Sequence, residues 1–112
     1  MRANEATARK VVAALSDELR RPPWRSHWHP LAGHCYVASE AFWHLTGRKL
    51  RPQVMRWEGG THWFLREPNS RIWDLTAGQF EEYPDHRLGR GCGFLTSGPS
   101  RRAQVVIDRV LA

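Results

Sequence analysis

The sequence has few lysines, few cysteines and no long apolar run. Lys10 and Lys49 are its only lysines, so 15 of its 17 basic residues are arginines. No apolar stretch approaches the ~20 residues that span a bilayer, and the charged segment from Met1 lacks the apolar core of a secretion signal. Two cysteines, Cys35 and Cys92, are too few for a secreted disulfide framework. These absences predict a cytoplasmic protein with reduced thiols and no membrane partner.

The 17 basic residues outnumber the 11 acidic ones, which favours an anionic partner. The arginines are nevertheless scattered from Arg2 to Arg109 and form no dense run. We therefore expect a protein or peptide substrate of acidic character. A non-enzymatic, arginine-rich module that binds nucleic acid or an acidic protein is the alternative. The length fits one domain over residues 1–112 with a single core, and it leaves the oligomeric state open.

Apolar spacing and turn residues predict three helices and three strands. The predicted helices are residues 4–20, the segment between Gly33 and Gly47, and a C-terminal helix that Ser100 begins. The predicted strands are residues 52–57, 61–66 and 70–75, with an aromatic loop over 21–33 and a second loop over 76–96. The sequence thus predicts an α+β fold in which the first two helices pack on a three-stranded antiparallel sheet.

The second of these helices carries Cys35 in its first turn. Free backbone N–H groups and the positive end of the helix dipole stabilise an anion at that place. A thiolate is the nucleophilic form of cysteine, so Cys35 is the predicted nucleophile. A small buried thiol with only a packing role is the plainer interpretation of the same residue.

Two further residues supply a base and a carboxylate. A cysteine nucleophile needs an imidazole to exchange its proton and a group that orients the imidazole. If Glu67-Pro68-Asn69 forms a three-residue turn, Arg66 pairs with Ser70, and His62 and Asp74 then share one sheet face. The sequence therefore predicts a Cys35–His62–Asp74 triad without metal or cofactor. Alternatively, Asp74 only caps the loop that follows it.

These motifs resemble the transglutaminase-like branch of the papain-fold cysteine enzymes. The resemblance rests on Gly33-His34-Cys35 at a helix start, His62-Trp63 on a strand and Trp73-Asp74-Leu75-Thr76 on the next strand, and it covers residues 31–80. It implies a small papain-like or transglutaminase-like core, the same triad, and amide or acyl chemistry. The expected function is that of a cysteine-dependent amide hydrolase or acyl transferase: a peptidase, an isopeptidase or a glutamine deamidase.

Papain-like enzymes place an oxyanion-stabilising glutamine six residues before the cysteine, where this chain has His29. The candidates for the oxyanion donor and the cleft walls are therefore His29, His34, Trp28 and Trp63, together with the Cys35 backbone N–H. Zinc bound among His27, His29, His34, Cys35 and His44 is a further alternative, although the spacing fits no familiar ligand pattern. Glu40 and His44 are predicted to form a surface pair.

Overall fold

The computed structural model describes residues 1–112 and has an α+β fold. Its helices are α1 (Glu5–Ala13), α2 (Cys35–Leu45) and α3 (Arg101–Leu111). Its strands are β1 (Arg51–Trp57), β2 (Gly60–Arg66), β3 (Ile72–Trp73) and β4 (Arg90–Gly91). All strand pairs are antiparallel, and the strand order is β3-β2-β1-β4. The α+β prediction is confirmed, whereas the predicted number of three strands is wrong.

A short 3₁₀ helix accounts for the main departure from prediction in the first half of the chain. The predicted helix over residues 4–20 ends at Ala13, and a separate 3₁₀ turn follows at Asp17–Leu19. Asn4 begins α1 by accepting a hydrogen bond from the Thr7 backbone N–H at 3.0 Å. Leu19 is still buried in the core, so the apolar periodicity that predicted one helix is satisfied by two shorter elements.

The hairpin of β1 and β2 closes through a two-residue turn at Glu58 and Gly59. Both residues have positive φ angles, 47° and 80°, which is typical of a type I′ turn whose twist matches that of the strands. Trp57 pairs with Gly60 directly beside this turn. The tight turn therefore sets the register that places His62 on β2.

The core lies between the sheet and the helices. Helix α2 crosses the middle of the molecule and packs against β2 on one side and against α1 and α3 on the other. Its buried stripe includes Val37, Ala38, Ala41, Phe42 and Leu45. The 13-residue apolar cluster joins this stripe to the other elements, and its remaining members are Val11, Leu19, Leu50, Leu65, Trp73, Ala103, Val106 and Ile107.

A buried carboxylate fastens α3 to α2. The Glu40 oxygens accept hydrogen bonds from the Ser100 backbone N–H at 2.8 Å and the Ser100 hydroxyl at 2.6 Å. Ser100 in turn caps α3 by accepting from the Ala103 N–H at 3.3 Å. Glu40 is fully buried, so the predicted surface pair of Glu40 and His44 is wrong. Two hydrogen bonds compensate its burial, and α2, which carries Cys35, is held in place.

No helix of the chain has the length and apolar character that crossing a membrane requires.

Candidate active site

Cys35 is the first residue of α2, as its sequence context predicts. Gly33 precedes it with a φ angle of 79°, and a Cβ there would lie 2.5 Å from the Trp24 Cβ, so only glycine fits. His34 is the N-cap residue, and its side chain makes no capping hydrogen bond. The half-buried Cys35 thiol lies 3.8 Å from the Thr61 carbonyl oxygen on β2. The first turn of α2 and strand β2 thus bring the Cys35 sulfur close to His62, the predicted base.

His62 on β2 is hydrogen-bonded to Asp74. The Nε2–Oδ2 distance is 2.7 Å, and each side chain is 1% exposed. The other ring nitrogen, Nδ1, is buried and has no hydrogen-bond partner. The Cys35 side chain, which lines the same cleft as His62, is a second polar group that acts on this ring. With its proton-bearing Nε2 bound to Asp74, the ring can exchange a proton with the thiol through Nδ1.

Asp74 reaches His62 through a different register from the predicted one. Arg66 pairs with Ile72 and not with Ser70, because the connection is five residues long and closes with a hydrogen bond from the Glu67 N–H to the Arg71 carbonyl at 2.8 Å. The predicted and observed loops both have an odd length, so the shared sheet face is retained. Asp74 accepts from imidazoles and caps no backbone N–H of the loop that follows, contrary to the loop-cap alternative.

The surroundings of His62 favour its protonated form. Burial alone would lower its pKa, but the hydrogen bond to Asp74, the nearby Cys35 side chain and the charge of the carboxylate outweigh burial. They raise the pKa of His62 to about 9 from its ordinary value of 6.5. His62 therefore keeps its proton at neutral pH.

A second imidazole binds the same carboxylate oxygen. His86 Nε2 lies 2.7 Å from Asp74 Oδ2, and its side chain is 8% exposed. The sequence analysis did not identify His86, which lies in the segment predicted only as a loop. No periodicity or motif marks this residue, because its contact with Asp74 depends on how the loop packs against the sheet.

Cys35 and His62 open into a small cleft of about 140 Å³. Aromatic rings and polar groups surround it, and the lining residues are Trp24, Gly33, Cys35, Tyr36, Trp57, Glu58, Gly60, Thr61, His62, Gln79 and Phe80. Gln79 supplies a side-chain amide. One of its Nε2 hydrogens is donated to the Thr76 carbonyl at 3.1 Å, and the second remains for a ligand because a carboxamide has two N–H donors. Gln79 was also not identified from the sequence.

The four predicted oxyanion and cleft residues lie outside this lining. His29 accepts a hydrogen bond from the Leu31 N–H through Nδ1 at 3.1 Å. Trp28 is 83% exposed, and Trp63 stacks on Phe94 with ring centres 5.5 Å apart. The structure instead places Trp24 and Trp57 at the cleft.

His34 is fully buried beneath the start of α2, and neither of its ring nitrogens has a hydrogen-bond partner. Desolvation, with smaller contributions from the charges of Arg20 and Arg102, lowers the pKa of His34 to about 4. The ring is therefore neutral at neutral pH. It lies at the N-cap of α2 and does not line the cleft.

The two cysteines are free thiols with different surroundings. Cys92 is exposed and contacts only the Gly93 carbonyl through its sulfur, whereas Cys35 is half-buried beside His62. The side chains considered for zinc do not converge, and no three His, Cys, Asp or Glu residues are grouped as a potential metal site.

The largest surface groove lies away from Cys35 and His62. It has a volume of about 580 Å³ and is formed by α1 and the segment from Ile72 to Leu75. Asp74 contributes to its wall, and most of its lining is apolar. The groove and the small cleft share no lining residue, and neither cysteine lines the groove.

Many arginines bind the chain's own backbone. Arg20, buried under the 21–33 loop, donates to the carbonyls of His29 at 2.9 Å and Ala32 at 3.2 Å. This cation orders the aromatic loop that leads into α2. Further arginines that donate to backbone carbonyls are Arg25, Arg56, Arg66, Arg102 and Arg109.

Comparisons with known proteins return no match: no protein-family model, curated protein or solved structure is similar to this chain. The assignment of a function therefore depends on the geometry of the site itself.

Proposed function

We propose that the protein is a cysteine-dependent amide hydrolase or acyl transferase that acts through Cys35, His62 and Asp74. The observation that carries the proposal is the His62–Asp74 hydrogen bond of 2.7 Å between two side chains that are each 1% exposed, with Cys35 and His62 lining the same cleft. Burying a protonated histidine, whose pKa is raised to about 9, costs free energy that packing alone does not require. Titratable groups with strongly perturbed pKa values in a cleft are typical of catalytic sites.

The proposed reaction begins with the Cys35 thiolate and the His62 imidazolium. The sulfur attacks an amide carbonyl in the cleft, and the carbonyl π electrons move to the oxygen to form a tetrahedral oxyanion. As this intermediate collapses, the C–N bond breaks and His62 gives its proton to the leaving amine. Water or an amine then attacks the thioester carbonyl and gives a proton to the neutral His62, and the C–S bond breaks to return the Cys35 thiolate and release the acid or the new amide. Asp74 stays ionised throughout and stabilises the imidazolium.

The oxyanion requires donors that point at the place where its charge develops. The backbone N–H of Cys35 at the start of α2 and the unused Nε2 hydrogen of Gln79 are the groups that the chain offers in the cleft. Together they would take the role that the resemblance assigns to a glutamine before the cysteine. In this proposal, the active site resembles that of transglutaminase-like enzymes, but its side-chain amide donor, Gln79, follows Asp74 in the chain and does not precede Cys35.

The hydrogen bonds that arginines donate to the chain's own backbone favour an enzyme over a nucleic-acid-binding module. An arginine that donates to a backbone carbonyl of its own chain has fewer donors left for phosphates. Six arginines do so here, and the remaining basic residues would serve to attract an acidic protein or peptide substrate. A reducing compartment such as the cytoplasm fits a reaction that depends on a free thiol.

Thiol labelling at pH 6 tests the proposal. Iodoacetamide, followed by peptide mapping, should modify Cys35 well before Cys92, because an imidazolium partner maintains a thiolate under mildly acidic conditions. Cys92, which is exposed and has no such partner, is the internal control. Slow and equal labelling of both cysteines would contradict the proposal and favour the binding module.

A further inference from the structure

Asp74 is held between two imidazoles and not by one. Its Oδ2 accepts from His62 Nε2 and from His86 Nε2, each at 2.7 Å. Its Oδ1 is buried and has no partner. The two histidines are therefore the only donors to a carboxylate whose side chain is 1% exposed, and a buried charge is tolerated only where hydrogen bonds compensate it.

The segment that carries His86 is built to hold its ring at this place. The Arg66 guanidinium donates to the His86 carbonyl at 2.8 Å, and the His86 ring packs edge-on against Phe64 with centres 4.6 Å apart. At Gly89, a Cβ would lie 2.4 Å from the Phe64 ring, so this close approach requires glycine. Tyr83 covers the outer side of the imidazole, with a ring-centre distance of 5.1 Å.

We propose that His86 is a positioning residue for the triad: its Nε2–H holds the Asp74 carboxylate, buried and charged, in the orientation that binds His62. The inference rests on the proposed function. Without His86, the carboxylate would keep one donor and turn towards solvent or admit water, and the His62 ring would lose its fixed partner. His86 contacts neither the thiol nor the cleft, so it acts only through Asp74.

The first test compares three chains that all carry Cys92→Ser, so that only Cys35 reacts: one with His86→Phe, one with His86→Gln and one with His86 retained. Phenylalanine fills the space without an N–H, whereas the glutamine amide can place a donor near the position of the imidazole Nε2. We expect iodoacetamide to react with Cys35 at pH 7 about tenfold more slowly in His86→Phe, as for loss of one buried hydrogen bond. His86→Gln should restore most of the rate.

His44→Phe is the matched control, since His44 lies at the far end of α2 and contacts no member of the triad. Its reaction rate should equal that of the unchanged chain, and thermal melts should show which variants fold. An unchanged or faster rate of Cys35 alkylation in His86→Phe would overturn the inference. Such a rate would mean that the hydrogen bond from His86 only weakens the interaction of Asp74 with protonated His62. A slow rate that His86→Gln leaves slow would also overturn it, since packing would then be the cause.

Nitrogen-15 NMR of the histidine rings separates this inference from the proposed function. In the unchanged chain, His62 should be an imidazolium at pH 8, and it should titrate at a lower pH in His86→Phe. If Cys35 of the unchanged chain proves as sluggish as Cys92, the proposed function fails, yet the His62 titration still tests the positioning role. If His86→Phe does not fold, the NMR signal of the His86 ring in the unchanged chain gives the test. Absence of a proton on His86 Nε2 would overturn the inference. A hydrogen-bonded Nε2 proton that loses its hydrogen bond in Asp74→Asn would support it.

Discussion

Replacing Asp74 by asparagine removes the charge from the centre of the site and leaves its shape almost unchanged. The amide is close in size to the carboxylate and could still cap a loop, but it cannot stabilise an imidazolium. Because Asp74 contacts two imidazoles and no backbone N–H, we expect Asp74→Asn to alter the chemistry of Cys35 much more than the fold. This substitution therefore separates a working triad from a structural aspartate.

The size of the effect follows from the pKa of His62. Burial opposes the charged ring, and the hydrogen bond to Asp74 is the largest of the contributions that raise the pKa to about 9 from 6.5. That difference corresponds to about 3 kcal/mol in favour of the imidazolium, and solvent screens the pair little because both side chains are 1% exposed. Without the carboxylate, His62 should be mostly neutral at pH 7.5, and the thiolate should lose its partner. The rate of Cys35 alkylation should then fall by roughly 100-fold or more.

The assay is the rate of Cys35 alkylation by iodoacetamide between pH 5 and 10, with Cys92→Ser in every sample. Asp108→Asn is the matched control, because Asp108 is exposed on α3 and bonds only to Gln104. Thermal melts should show that both asparagine variants are folded. If Asp74→Asn reacts at the rate of the unchanged chain at every pH, no ion pair depends on Asp74, and the reasoning from the pKa of His62 is refuted.

Three further predictions concern other parts of the molecule. Burial lowers the pKa of His34 to about 4 from 6.5, so on acidification His34 binds a proton in the unfolded chain before it does so in the folded chain. The free energy of unfolding is therefore unaffected by His34 above pH 6.5 and falls by up to about 3 kcal/mol as the pH drops towards 4. Urea denaturation at pH 7 and 4.5 should show a smaller acid loss in His34→Leu, and an equal loss would contradict the assignment. Gln79→Ala should slow Cys35 acylation by p-nitrophenyl acetate by ~100-fold while leaving alkylation by iodoacetamide unchanged, because only acylation develops an oxyanion; equal effects on both reactions would exclude Gln79 as a donor. DNA binding should be weak and should vanish with added salt, whereas tight, sequence-selective binding at high salt would favour the alternative module.

The parts of the fold that sequence reasoning predicted best are those where local signals agree. Helix α2 is bounded by Gly33 and Gly47, which have φ angles of 79° and 91°, and its apolar spacing matches the observed buried stripe. Both kinds of signal are local, since a glycine with positive φ ends a helix wherever it packs. Strand β4 offered no such signal. It consists of the two exposed residues Arg90 and Gly91, and two residues are too few to show an alternation.

The loop after β2 shows how a wrong register can retain a correct face. Glu67-Pro68-Asn69 suggested a three-residue turn, but Ser70 adopts a φ angle of 75° and the loop extends to Arg71. Side-chain direction depends only on whether the loop length is odd or even, so Asp74 stays on the face of His62. His86 and Gln79 could not be predicted in this way, because the position of each depends on how an irregular segment packs against the sheet.

His34 and His62 show how the partners of a buried histidine set its pKa. They are 0% and 1% exposed, and burial opposes a charge on both rings. The pKa of His34 nevertheless falls to about 4, while that of His62 rises to about 9. The difference lies in their partners, since arginines approach His34 and a carboxylate and a thiol approach His62. A site that performs acid–base chemistry is recognised by such separation of pKa values within one protein. In this chain, the separation depends on Asp74, and therefore on the two histidines that keep its charge buried.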